Sequence, residues 1–159
     1  GQSCSIARSL EIVGERWSIL ILRNAMFAGM TRFSDFERTL RIAPNILARR
    51  LEFFLDEGIM TASKGASGHL EYHLTEKGWR FKAALMALRE WGDRYKAPLG
   101  PPVTVHHEGC GGKVEIRPTC AKCGESPRLD HIHAQPTAVY GAYEEELASK
   151  RNKRHRVKR

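Results

Sequence analysis

Apolar positions recur at helical spacing from the start of the chain. Ile6, Ala7, Leu10 and Val13 fall on one side of a helix that Ser3 or Ser5 can cap, and Gly14 breaks it. From Glu15 to about Ala28 the chain is apolar nearly all round, with Trp17, Ile19, Leu20, Ile21, Leu22, Ala25, Met26 and Phe27. Such a segment predicts a helix buried at the centre of a helical domain. After Gly29, Thr31 suits the cap of a short helix carrying Phe33, Phe36 and Leu40. A brief turn, Arg41-Ile42-Ala43, leads to Pro44, placed where proline is tolerated in a helix, the first turn. That helix is expected to run to about Asp56 and to end at Gly58.

Beyond Gly58 the period changes. Ile59 to Lys64 and His69 to Leu74 read as two short strands around the tip Gly65-Ala66-Ser67-Gly68, with Leu70, Tyr72 and Leu74 alternating onto one face. Thr75 caps a long helix expected from Glu76 to about Lys96. Two short helices, a tight turn and a hairpin are the order of a winged helix-turn-helix, so the expected fold is α+β and mostly α. Residues 1–97 would form the winged-helix body and 98–134 a proline-stiffened linker with a small Cys/His hairpin. Residues 135–159 would be a tail, basic and disordered at its end.

The helix from Pro44 carries the candidate chemistry. At 100° per residue, Leu47, Leu51, Phe54 and Leu55 turn inward, while Asn45, Ala48, Arg49 and Glu52 face away. The first residues of a reading helix meet base edges. Asn pairs with adenine and Arg with guanine through two groups at once. Asn45 and Arg49 are therefore expected to read bases, with Ala48 between them small enough for close approach. Arg50, on the flank, would contact phosphate or an internal acid such as Asp35 or Glu37. Arg32 and Arg38 are candidate phosphate contacts, and Lys64 and His69 flank the hairpin tip.

Net charge adds less than it first suggests. Of the formal +8, seven positive charges lie in Lys150–Arg159, a run without acids, leaving the body at +1. The run can add salt-sensitive phosphate attraction or simply solubilise the chain. The longest unbroken apolar stretch, Ala83–Leu88, has six residues, against about 20 needed to span a bilayer. Together with the absence of a signal-peptide pattern, this leads to the expectation of a cytoplasmic protein without a membrane partner.

Four cysteines are present, Cys4, Cys110, Cys120 and Cys123. His107-x2-Cys110 and Cys120-x2-Cys123 are separated by nine residues, and Gly111 and Gly124 follow the two pairs. Two-residue spacing lets a tight knuckle aim both ligands at one ion. The expected site is a closed, structural Cys3His zinc site in which His106 could replace His107, and His131 or His133 could compete. His106-x-Glu108 before Pro118-Thr119-Cys120-x-x-Cys123 superficially resembles a zinc deaminase signature. The proline is displaced by one residue and the intervening stretch is too short for the required helix and strand, so an enzyme is not expected. Cys4 stands alone at a helix start, a position that lowers a thiol's pKa and could make it a redox or electrophile sensor, or simply a small buried side chain.

The run from Cys4 through Trp17 to Arg23 resembles the opening of HxlR-type regulators. So do Arg32-Phe33-Ser-Asp-Phe36, Ile42 to Leu51, Glu57-Gly-Ile59, Tyr72 to Gly78 and Trp91-Gly-Asp. The resemblance covers residues 4 to about 96. It implies a winged-helix homodimer, built by the first and last helices, acting as a repressor or activator on double-stranded DNA, with any small-molecule effector unknown. The expected interface residues are Ile6, Leu10, Leu85, Leu88, Trp91 and Tyr95. Long apolar stripes without an internal partner mark interfaces, and a two-fold dimer sets two reading helices about 34 Å apart, one DNA turn. Some family members sense oxidants through the cysteine matching Cys4. Two other readings stand beside the ligand-controlled regulator: a thiol switch at Cys4, and a winged-helix protein-interaction module without DNA.

Overall fold

A computed structural model describes residues 4–157, with side chains for residues 4–149. It divides into two compact units, Arg16–Pro118, and the chain up to Glu15 together with that from Thr119 on. This division cuts the chain differently from the expected boundaries after residues 97 and 134.

Within Arg16–Pro118 the elements are α2 (Arg16–Ala28), α3 (Phe33–Leu40), α4 (Pro44–Asp56), β1 (Met60–Lys64), β2 (Leu70–Leu74), α5 (Glu76–Arg80) and α6 (Lys82–Lys96); α1 (Ser5–Val13) precedes them in the chain. Helix α2 is central, packing against α3, α4, α6 and β2. Its Ile21 and Leu22 join Phe36, Leu47, Leu51 and Phe54 in a fully buried cluster, which Ile59, Met60, Leu85 and Met86 extend. The periodicity found these positions because each helix hides one stripe. It did not foresee the buried polar groups of α2, Ser18 and Asn24.

Local chemistry sets the element ends. Pro44 opens α4, and the amides of Ile46 and Leu47 donate to the Ala43 carbonyl, both at 3.0 Å. At the other end Gly58 adopts φ 63°. The Ile59 amide returns to the Phe54 carbonyl at 2.9 Å and that of Gly58 to Leu55 at 3.0 Å. These are the two bonds of a Schellman motif, and they satisfy carbonyls that the helix leaves open. Between α3 and α4 the left-handed position is taken by Arg41, at φ 51°. Strands β1 and β2 pair antiparallel, with Met60 opposite Leu74 and Lys64 opposite Leu70.

Four expectations need correction. Helix α1 is capped by Cys4, and α3 by Arg32, neither through its side chain. Thr31 is thus not the cap of α3, and Ser5 is already helical, while Ser3 lies outside the described residues; the Thr31 carbonyl instead accepts the Tyr72 amide at 2.7 Å. The long helix after Thr75 is interrupted at Phe81, which separates α5 from α6. The expected outer stripe on that helix loses Leu85, which is 6% exposed and sits in the core beside Met86. Finally, the backbone is helical over Tyr140–Val157 (α7), where a self-repelling tail was expected; Lys158 and Arg159 lie outside the described residues. Within the second unit, the Arg8 guanidinium lies 4.2 Å from the Tyr143 ring centre and 3.5 Å from the Glu146 carboxylate.

Candidate nucleic-acid interface

Helix α4 turns Leu47, Leu51 and Phe54 into the core and leaves Pro44, Asn45, Ala48 and Arg49 exposed. The division follows from the wheel, and α4 packs against α2, α3 and β1. Asn45 Oδ1 accepts the Ile46 amide at 3.0 Å, leaving its amide nitrogen pointed away from that bond. Arg49 makes no hydrogen bond or ion pair to any described residue. Arg50 is half-buried on the flank.

The surrounding cations differ in freedom. Arg38 on α3 is exposed and bonds the Asp35 carboxylate at 2.7 Å, one helical turn away. Arg32 reaches across to the hairpin, where its Nε donates to Glu71 Oε1 and its Nη2 to Ser67 Oγ, both at 3.2 Å. The backbones of Arg32 and Glu71 also form an antiparallel bridge. Sequence reading missed Glu71 and Ser67, because a pair 39 residues apart has no local signal. Lys64 and His69 stand exposed on either side of the tip, which the Gly65 amide closes by donating to the His69 carbonyl at 2.8 Å.

At the hairpin base, Thr75 is the cap expected of it. The Gly78 amide donates to its Oγ1 at 3.1 Å, and the Thr75 hydroxyl donates to the Gly58 carbonyl at 2.7 Å. Burial raises the Tyr72 phenol above its ordinary pKa.

The two Cys/His pairs belong to different units. Around His107 and Cys110 the backbone closes as a hairpin, with a bridge between His106 and Lys113. The Gly111 amide (φ 70°) donates to the His107 carbonyl at 2.7 Å. The Gly112 amide approaches Cys110 Sγ at 3.4 Å, and His107 Nδ1 lies 3.3 Å from the same sulfur. Both ring nitrogens of His106 are already used, by Gly111 O and Thr104 Oγ1. In the other unit the Gly124 amide (φ 75°) donates to the Cys120 carbonyl at 2.8 Å. The backbone amide of Cys123, and after it that of Lys122, lowers the Cys120 thiol pKa. Among the described residues no three His, Cys, Asp or Glu side chains are grouped as they would be around one metal ion.

A short helix, a tight turn, a second helix with an exposed polar N-terminal face and a two-stranded wing make this a winged helix-turn-helix protein. The chain belongs to the HxlR-like helix-turn-helix family, whose profile matches residues 12–99, and it is a DNA-binding transcriptional regulator. It is 39% identical over 136 residues to the HTH-type transcriptional regulator Rv3095 of Mycobacterium tuberculosis, itself uncharacterized, covering 83% of this chain and 85% of that one. Among solved structures it resembles PA1607, a candidate transcription factor, with a TM-score of 0.76 at 36% identity over 85% of this chain and 96% of that one. PA1374 of Pseudomonas aeruginosa, also a candidate transcription factor, gives 0.58 at 37%, over 85% and 93%. The redox regulator HypR in its oxidized form gives 0.52 at 25%, over 58% and 98%. Among the described residues no helix is long and apolar enough to cross a membrane.

Proposed function

We propose that this protein is a cytoplasmic homodimer that binds a specific duplex operator by inserting the start of α4 into the major groove. The observation that carries this reading is the exposed set Asn45, Ala48 and Arg49, held on a helix whose opposite stripe is fully buried. A rigid helix presents these groups in a fixed frame, so one bidentate pair at Asn45 and one at Arg49 would each discriminate between bases by about 1–3 kcal/mol. Lys64 and His69 on the wing and Arg38 on α3 supply sequence-independent phosphate attraction. Dimerisation is supported by the outer side of α6. The Trp91 and Tyr95 rings lie against each other at a tilt of 50° with centres 5.5 Å apart, and with Leu88 they remain exposed, Trp91 by 55%. Ile6 and Leu10 on α1 are exposed as well, Ile6 by 71%.

The test is selection of bound fragments from random duplex DNA, followed by competition at fixed salt. The reading expects a single, two-fold related sequence bound at least about a thousandfold more tightly than random DNA. Equal affinity for all duplexes would overturn it and favour a protein-interaction module.

The Cys/His segment is proposed to bind one structural Zn2+ through His107, Cys110, Cys120 and Cys123. Support comes from their spacing, from the glycine in a left-handed conformation after each pair, and from the Gly112 amide directed at the Cys110 sulfur. A second reading, a thiol switch at Cys4, draws on the exposed position of that residue at the start of α1 and on the likeness to a redox regulator. If it holds, diamide changes operator affinity in the native protein and not in Cys4→Ser; an identical response in both would exclude it.

A further inference from the structure

Arg32 is a candidate phosphate contact by sequence, yet two of its guanidinium nitrogens already have partners within the protein, although its side chain is 45% exposed. Nε and Nη2 grip Glu71 of β2 and Ser67 of the tip, and the Thr31 carbonyl takes the Tyr72 amide next door. The Glu71 carboxylate is mostly covered: its side chain is 18% exposed, and His73 Nε2 stands 3.7 Å away on its other side. It also lies over Gly65, where an added Cβ would fall 2.4 Å from its Oε1. One carboxylate thus joins the start of α3, both strands' ends and the hairpin tip. A two-stranded hairpin is marginal on its own, and the two outer ends of this one carry the exposed Lys64 and His69.

We propose that Arg32, Glu71 and Ser67 form a latch that fixes the angle of the wing against the helix-turn-helix, so that Arg32 is a positioning residue for DNA recognition and not a phosphate contact. The proposal rests on the DNA-binding reading above. A latch and a phosphate contact differ in sign at Glu71. A carboxylate near DNA repels phosphate, so if Arg32 merely served DNA, removing Glu71 would free the arginine and tighten binding. If the pair is a latch, removing either member lets the wing swing and weakens binding.

The experiment compares Arg32→Ala, Glu71→Ala, the double variant and the exchanged pair Arg32→Glu with Glu71→Arg. Operator affinity is measured over a salt series, and backbone hydrogen exchange of residues 64–72 is measured without DNA. The latch predicts that each single variant weakens operator binding about three- to tenfold, and that the double variant is no worse than the weaker single. The exchanged pair should regain most of the loss. The slope of log affinity against log salt should stay unchanged in Arg32→Ala, while exchange in the hairpin rises in both singles. Tighter binding by Glu71→Ala, or a salt slope reduced by about one in Arg32→Ala, would overturn it. So would hairpin exchange equal to that of the native protein. The exchange arm needs no DNA, so a native protein lacking sequence preference would defeat the DNA reading while the latch itself was still being read.

Discussion

Gly78→Ala tests how the wing base is locked to α5. An added Cβ would lie 2.4 Å from the Ile59 carbonyl oxygen and 3.0 Å from Leu74 Cδ2. Ordinary carbon–oxygen contact is about 3.4 Å, so something must give by about 1 Å. The oxygen cannot retreat freely, because it accepts the Thr75 amide at 3.1 Å and lies 3.1 Å from the Thr75 hydroxyl. Overpacking of this kind costs about 1–3 kcal/mol, and pushing α5 away also stretches the Gly78–Thr75 cap bond, worth roughly 1 kcal/mol. Against this, alanine gains up to about 1 kcal/mol in helix propensity. The net expectation is a loss of about 1–3 kcal/mol, or roughly 5–20 °C in Tm for a domain of this size. Thermal unfolding followed by circular dichroism measures it. An unchanged or raised Tm would show that Gly78, the Thr75 cap and the Ile59 carbonyl are not packed as described.

Phe36→Ala, which empties a side chain with no exposed surface, should cost about 3–5 kcal/mol, read as a lower denaturant midpoint with an unchanged slope; a loss under about 1 kcal/mol would contradict the assigned core. Trp91→Glu places a charge on the exposed face of α6. It should leave the fold intact by circular dichroism while shifting sedimentation toward the monomer and weakening operator binding at least tenfold, whereas a native protein already monomeric at micromolar concentration would refute the dimer. Protein purified without chelator should carry about one zinc per chain, and Cys120→Ser should carry much less; a native chain with only a trace of zinc would refute the metal site.

Much of the fold is legible because the relevant physics is local. Gly58 announces a left-handed helix stop, Pro44 a helix start, and the spacing of Leu47, Leu51 and Phe54 an inward stripe. The exposed triplet Asn45, Ala48 and Arg49 follows from the same wheel. Most of what escaped was decided by distant partners. The break at Phe81 leaves the apolar period unchanged, so nothing local marks it. Leu85 and Leu88 look equivalent along the sequence, yet only Leu85 reaches the core. Arg32 and Arg38 both read as free cations, and the carboxylates that hold them, Glu71 and Asp35, come from across the hairpin in one case and from the same helix in the other.

The central claim, that the start of α4 reads bases, is tested most directly by a missing-contact measurement. Affinities of the native protein and Arg49→Ala are compared over every single-base-pair variant of the selected operator. Arg49 has no competing partner among the described residues, so its loss should appear at DNA and nowhere else. The expected result is a drop of about 1–3 kcal/mol confined to one base pair in each half-site, at which the variant no longer distinguishes bases. Uniform weakening with preference retained at every position would mean that the helix lies along the backbone, and would contradict the account.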